Sequence, residues 1–186
     1  MPFVEIQFKD IFFNPEVQKM CVSRTFTCPN YNHSWSCPPA APYLEQEIST
    51  YKKFFLIYSK FDLESYVKEI KLKHPRRSEQ KIKNNYYMKS VYRNDLGKEI
   101  EKFLKQYQEP HEKKLILHVG ACTVCNNKND GKCTYDSGEP CRYPEKRRYS
   151  MEAVGIEVIK TVMNLKADIE YPSHKYSYQF GLACFK

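Results

Sequence analysis

Seven of the chain's eight cysteines fall in two short segments. Cys21, Cys28 and Cys37 make the first, and Cys122, Cys125, Cys133 and Cys141 make the second. What such thiols become depends on the compartment: an oxidising one pairs them, and a reducing one leaves them free as ligands. Residues 1–13 carry Glu5, Lys9 and Asp10 and no small-residue cleavage site, so no secretory leader is expected. The longest uninterrupted apolar run, Phe54-Phe55-Leu56-Ile57-Tyr58, is far too short to cross a bilayer. The expected location is therefore cytoplasmic, away from membranes. The expected fate of the thiols is metal rather than disulfides.

The second segment places four thiols within twenty residues, among Asn, Asp and Gly residues that let the chain turn tightly. The two-residue gap in Cys122-Thr-Val-Cys125 lets both thiolates reach one metal or two adjacent irons. Four thiolates suit tetrahedral zinc or a cubane iron–sulfur cluster. Structural zinc sites usually offer two close pairs. One close pair with two wide gaps favours the larger object.

The first segment reads Cys28-Pro-Asn-Tyr and Cys37-Pro-Pro, with Cys21 ahead of them. Three thiolates are one short of a closed cubane, so an iron stays open there or another residue completes the set. His33 and Cys184 are the nearest candidates. Against them stand plainer roles, His33 on a surface loop and Cys184 in the core. Arg142, Lys146, Arg147 and Arg148 follow the last cysteine. A four-thiolate cubane is anionic, which makes Arg142 a candidate cofactor contact, although the same side chains could simply face solvent.

Patterning predicts a small layered α/β domain over residues 1–186, with a short, mostly parallel sheet, helices packed on it, and Cys-rich metal-binding loops at 21–42 and 120–149. Strands are expected near Val4, over Phe54-Phe55-Leu56-Ile57-Tyr58, over Leu115-Ile116-Leu117-His118-Val119, and over residues 176–185. Asp62 can cap a helix carrying Leu63, Tyr66, Val67 and Ile70 at helical spacing, and a second helix fits residues 95–107. Ser150 is expected to cap a third, whose apolar stripe is Met151, Val154, Val158, Val162 and Leu165, and whose positive end could face the second cysteine group.

The net charge is +8. Much of it sits in residues 71–93, where Lys71, Lys73, Arg76, Arg77, Lys81, Lys83, Lys89 and Arg93 face only Glu79, with Tyr86, Tyr87 and Tyr92 interleaved. Such a tract could follow a phosphate backbone and stack bases. It is equally the composition of a solvated helical face or loop.

Three ordered stretches resemble a known family. Cys28-Pro-Asn-Tyr-Asn-His-Ser-Trp35-Ser-Cys37-Pro-Pro39 is similar to the Cys–Asn-Tyr–Trp–Cys-Pro-Pro signature of the predicted metal-binding proteins grouped as a domain of unknown function (DUF2284). Cys133-Thr-Tyr-Asp-Ser-Gly-Glu-Pro-Cys141-Arg-Tyr-Pro144 resembles the family's second signature, and Ser150-Met-Glu-Ala-Val-Gly155-Ile-Glu-Val158 the segment after it. Two features depart from the pattern: residues 126–132 form a longer loop, and Asn32 stands where the family usually has Gly. The resemblance implies a small cytoplasmic protein, of the kind found mainly in anaerobic bacteria and archaea, that binds an iron–sulfur cluster. It implies no particular reaction.

The leading expectation is an iron–sulfur protein, with one or two [4Fe-4S] clusters on the seven cysteines, that works in redox or electron transfer with a partner protein. The second is an enzyme whose open iron at the three-cysteine group acts on a small-molecule substrate, as a Lewis acid or sulfur carrier. The third is a zinc-stabilised module that binds nucleic acid. No acid–base pair, Gly-rich phosphate loop or Ser-His-Asp set offers a fourth.

Overall fold

The computed structural model describes residues 2–88, 91–126, 131–165, 169 and 174–186, without the side chains of 87–94. Lys89 therefore lies outside the described residues, as do the side chains of Tyr87, Tyr92 and Arg93 and residues 127–130 of the longer loop.

The apolar run at residue 54 is the centre of a ten-residue strand, β2 (Lys53–Asp62). Its alternation sends Phe54 and Leu56 to one face and Phe55 and Ile57 to the other, and both faces are covered. β2 pairs with β1 (Phe3–Ile6) on one side and with β5 (Tyr176–Phe185) on the other, both antiparallel. β5 then pairs antiparallel with β3 (Lys114–His118), and β3 pairs parallel with the two-residue β4 (Tyr149–Ser150). The order is β1-β2-β5-β3-β4.

The sheet is thus mixed, not mostly parallel as the alternation of strands and helices predicts. The register supplies the reason. β2 and β3 do run in the same direction, because each is antiparallel to β5, so the helical crossover between them behaves as expected. The last strand inserts between them and turns one parallel pair into two antiparallel ones.

Three helices make that crossover. Asp62 caps α3 (Leu63–Lys73) as expected, its carboxylate accepting the Ser65 amide at 2.9 Å. The basic tract is helical for most of its described length: α4 (Glu79–Met88) lays Ile82 and Tyr86 against Leu63 and Val67, and all four are buried. Part of its charge is spent locally, since Lys73 pairs with Glu69 and the Lys71 ammonium donates to the Arg77 carbonyl. α5 (Val91–Gln106) packs Leu96, Ile100 and Phe103 on the face of Phe55, Ile57, Ala183 and Phe185.

The opposite face carries the larger core. The single-turn helix α2 (Glu45–Ile48) covers it together with Met151, Val154, Ile156 and Val162, and a second single turn, α1 (Glu16–Lys19), packs on residues 152–154. The helix expected from Ser150 is broken. Residues 152–154 form one 3-10 turn, with Ser150 Oγ accepting the Ala153 amide at 3.1 Å. Gly155 follows at φ 92°, and α6 is only Val158–Asn164. A side chain at Gly155 would stand 2.3 Å from the Tyr43 ring, so the position requires glycine on two counts. One 3-10 turn carries little dipole, and the positive helix end expected at the cysteines is not there. Among the described residues no helix is long and apolar enough to cross a membrane.

Candidate metal centre

The four-cysteine segment is the connection between the parallel strands β3 and β4. It leaves the carboxyl end of β3, where ligands commonly gather in such sheets, and re-enters at Tyr149. Thr134 is 2% exposed and folds the stretch back on itself. Its hydroxyl donates to the Pro140 carbonyl at 2.9 Å, and its carbonyl accepts Ser137 Oγ at 2.9 Å. The result is that Cys122, Cys125, Cys133 and Cys141 all line one cavity of about 160 Å³. A water claims roughly 30 Å³ of liquid, so the space suits a polyatomic guest.

The cavity is electrostatically poised. Burial raises the pKa of the Cys125 thiol, and Cys122, Cys133 and Cys141 add to the rise, while Arg142 opposes it. Ionising all four thiols together needs compensating positive charge. Arg142 contributes from the rim, where its guanidinium also donates to the Lys132 carbonyl at 3.0 Å. Arg147 lines the cavity itself, and its Nε is buried without a hydrogen-bond partner.

The first segment is folded by its own backbone. The Cys28 amide donates to the Cys21 carbonyl at 2.8 Å, and a bridge pairs Val22 with Thr27. α1 leads into Cys21 and is fastened by Gln18, whose amide donates to the carbonyls of Ala41 (3.1 Å) and Ala153 (2.8 Å). The Cys21 thiol is pushed up to about 11, first by burial, then by Cys28 and Cys37, with the Glu152 carboxyl adding to it. Burial also raises Cys37, and the hydroxyls of Ser36 and Ser34 partly offset it. These three thiols share one neighbourhood.

The two segments interlock. His33 Nδ1 lies 2.9 Å from Asp136, Trp35 Nε1 donates to the Glu139 carbonyl at 3.0 Å, and Tyr135 OH donates to Asn32 Oδ1 at 2.8 Å. The Trp35 and Tyr135 rings meet edge to face at 4.9 Å. His33, Ser34, Trp35 and Ser36 form a wall of the four-thiol cavity. Asn32 sits at φ 58°, a conformation that Gly and Asn tolerate best. Asn32 therefore holds a backbone that Gly would also accept and adds a bond to Tyr135 that Gly could not make.

The two sequence candidates for a fourth ligand fall in different places. His33 belongs to the wall of the four-thiol cavity. Cys184 is fully buried in β5, paired with Phe54 and Leu115, and burial raises its thiol. It is a core residue. Sequence reasoning missed two others. Ser36 lies between the groups, with only its place in the first signature to mark it. His118 ends β3, and burial, with Arg148 nearby, lowers its imidazole to about 4. Among the described residues no three Cys, His, Asp or Glu side chains converge closely enough to grip a single ion. The donor chemistry, the size of the cavity and the orphaned Arg147 Nε fit an anionic, thiolate-bound group.

No curated protein and no solved structure matches the chain. The family model for a predicted metal-binding protein matches residues 4–183, which include both cysteine segments and all five strands but the ends of β1 and β5. The chain belongs to the predicted metal-binding protein family DUF2284.

Proposed function

We propose that the chain is an iron–sulfur protein that holds one cubane on Cys122, Cys125, Cys133 and Cys141 and a second on Cys21, Cys28 and Cys37, and that it passes electrons to a partner protein. One observation carries the reading: four thiols line a single cavity large enough for a polyatomic guest, beside a buried guanidinium nitrogen that lacks a partner. When bound, such clusters supply one-electron chemistry with little other machinery. The chain's own residues do the rest. The thiolates hold, Arg147 and Arg142 balance charge, and the wall of His33 and Trp35 limits the approach of water.

The test is a count of iron and acid-labile sulfide in protein made without oxygen. The expected sample is brown, with about four sulfides per cubane and about eight per chain if both groups are filled. Zinc with no sulfide would overturn the proposal in favour of a zinc-stabilised module. A second reading, an open iron at the first group acting on a small molecule, is supported by the burial of Cys184 in β5, which leaves that group three thiols. Sulfide or a small thiol should then change the electron-spin signal of that centre, and an unchanged signal counts against it.

A further inference from the structure

A buried pair of hydroxyls lies between the two cysteine groups. Ser34 is 5% exposed and Ser36 is 1% exposed. Ser36 Oγ lies 3.0 Å from Ser34 Oγ and 3.9 Å from Cys37 Sγ, and it accepts the Cys122 amide at 3.1 Å. Ser34 Oγ in turn accepts the Ser36 amide at 3.3 Å.

A hydroxyl has one proton to give and two lone pairs to receive with, and a thiolate only receives. With Cys37 bound as thiolate, every group is satisfied in the following way. The Cys122 amide and the Ser34 hydroxyl both donate to Ser36 Oγ, and Ser36 gives its own proton to the Cys37 sulfur. In the one alternative Ser36 gives its proton to Ser34 and Ser34 gives its own to Cys37, since both hydroxyls act on that sulfur. A chain that stopped short of the sulfur would leave a buried proton unmet, at a cost of about 1–3 kcal/mol. The bonds therefore run unbroken from the backbone of the four-thiol segment to a sulfur of the three-thiol segment.

We propose that Ser36 is a positioning residue linking the two centres, with its oxygen fixing the Cys122 amide and its hydroxyl donating to the Cys37 sulfur. This rests on the reading of both groups as cluster ligands. A hydrogen bond to a ligating sulfur favours the reduced, more negative state and raises the reduction potential. Ser34 acts one step back, by orienting the Ser36 hydroxyl. The pair also explains why Ser, with no apolar bulk to pack, occupies two buried positions of the first signature.

The experiment is a dithionite titration of the full chain under anoxic conditions, followed by electron spin resonance. Wild type is compared with Ser36→Ala and Ser34→Ala, and Cys28→Ala identifies which reduction step belongs to the three-thiol centre. In Ser36→Ala that step should move to a more negative potential while the iron and sulfide counts stay at the wild-type level. Ser34→Ala should move it the same way by less. An unmoved step in both variants, with iron and sulfide intact, overturns the proposal and leaves the cluster reading standing. Should Ser36→Ala lose its iron, the Ser34→Ala titration decides, and no shift there overturns the link. Wild type without iron or sulfide removes the reading itself and the link with it.

Discussion

The sheet and the cysteine loops are held by different forces. The sheet is closed by apolar burial on both faces, with Leu56, Ile57, Leu117 and Leu182 at 1% exposure or less. The loops contribute few buried side chains, and a handful of polar ties joins them: His33 to Asp136, Trp35 to Glu139, Tyr135 to Asn32 and Ser36 to Cys122. The His33 and Asp136 side chains are 59% and 62% exposed, and an ion pair so placed contributes at most about 1 kcal/mol. The half that carries the chemistry is the half that hydrophobic burial does not stabilise. On the proposed reading, what the thiols bind adds the order that these few ties do not supply.

Stripping the metal should have the largest effect and the most unequal one. Hydrogen exchange protection over residues 28–37 and 120–141 is expected to collapse, while amides of β2 and β5 stay protected. Equal protection of the loops with and without metal would break the comparison. Next in size, Leu56→Ala should cost the sheet about 2–5 kcal/mol in denaturant unfolding, whether or not metal is bound. A loss of metal with no loss of sheet stability would reverse the roles assigned here.

A pH dependence sharpens the boundary between the halves, because His118 stands where β3 ends. Folded, its imidazole stays neutral down to about 4; unfolded, it takes a proton near 6.5. Between these values the unfolded chain binds more protons, so stability should fall as pH drops from 6.5 towards 4 and level off below. The contribution is at most about 3 kcal/mol. It is measured on the metal-free chain as the difference from His118→Gln, which should lack that slope. Smallest is the turn at Asn32. Asn32→Ala loses the bond to Tyr135 and meets left-handed strain of about 1–2 kcal/mol, whereas Asn32→Gly loses the bond alone. Thermal melting of the metal-loaded protein should rank them wild type, Gly, Ala.

What the sequence disclosed divides along the same line. Local signals read correctly: the Asp62 cap, the apolar run of β2 and the strand at residues 176–185 all declare themselves within a few residues. The misreadings came from distance. Strand–helix alternation is satisfied equally by a parallel sheet and by one whose last strand inserts between the first two. The stripe from Met151 to Leu165 has helical period, yet it is interrupted where Gly155 turns left-handed beneath the ring of Tyr43, more than a hundred residues earlier. Ile82 and Tyr86 are core residues hidden among lysines, because two apolar side chains set against Leu63, Val67 and the rings of Phe61 and Tyr66 suffice to seat α4. The interlock of the cysteine segments joins residues about a hundred positions apart, and no window on the sequence reaches that far.

The central place of β5 sets an order of events during synthesis. The cysteine segments leave the ribosome long before the strand that β2 and β3 share as neighbour. Until residues 176–185 emerge, β3 has only the two-residue β4 beside it and lacks its neighbour along residues 114–117, so the loop anchored at its carboxyl end has an incomplete base. On the proposed reading, cofactor loading is thereby made a late step, one that follows the arrival of β5, and a nascent chain stalled short of it would present its thiols on an unfinished sheet.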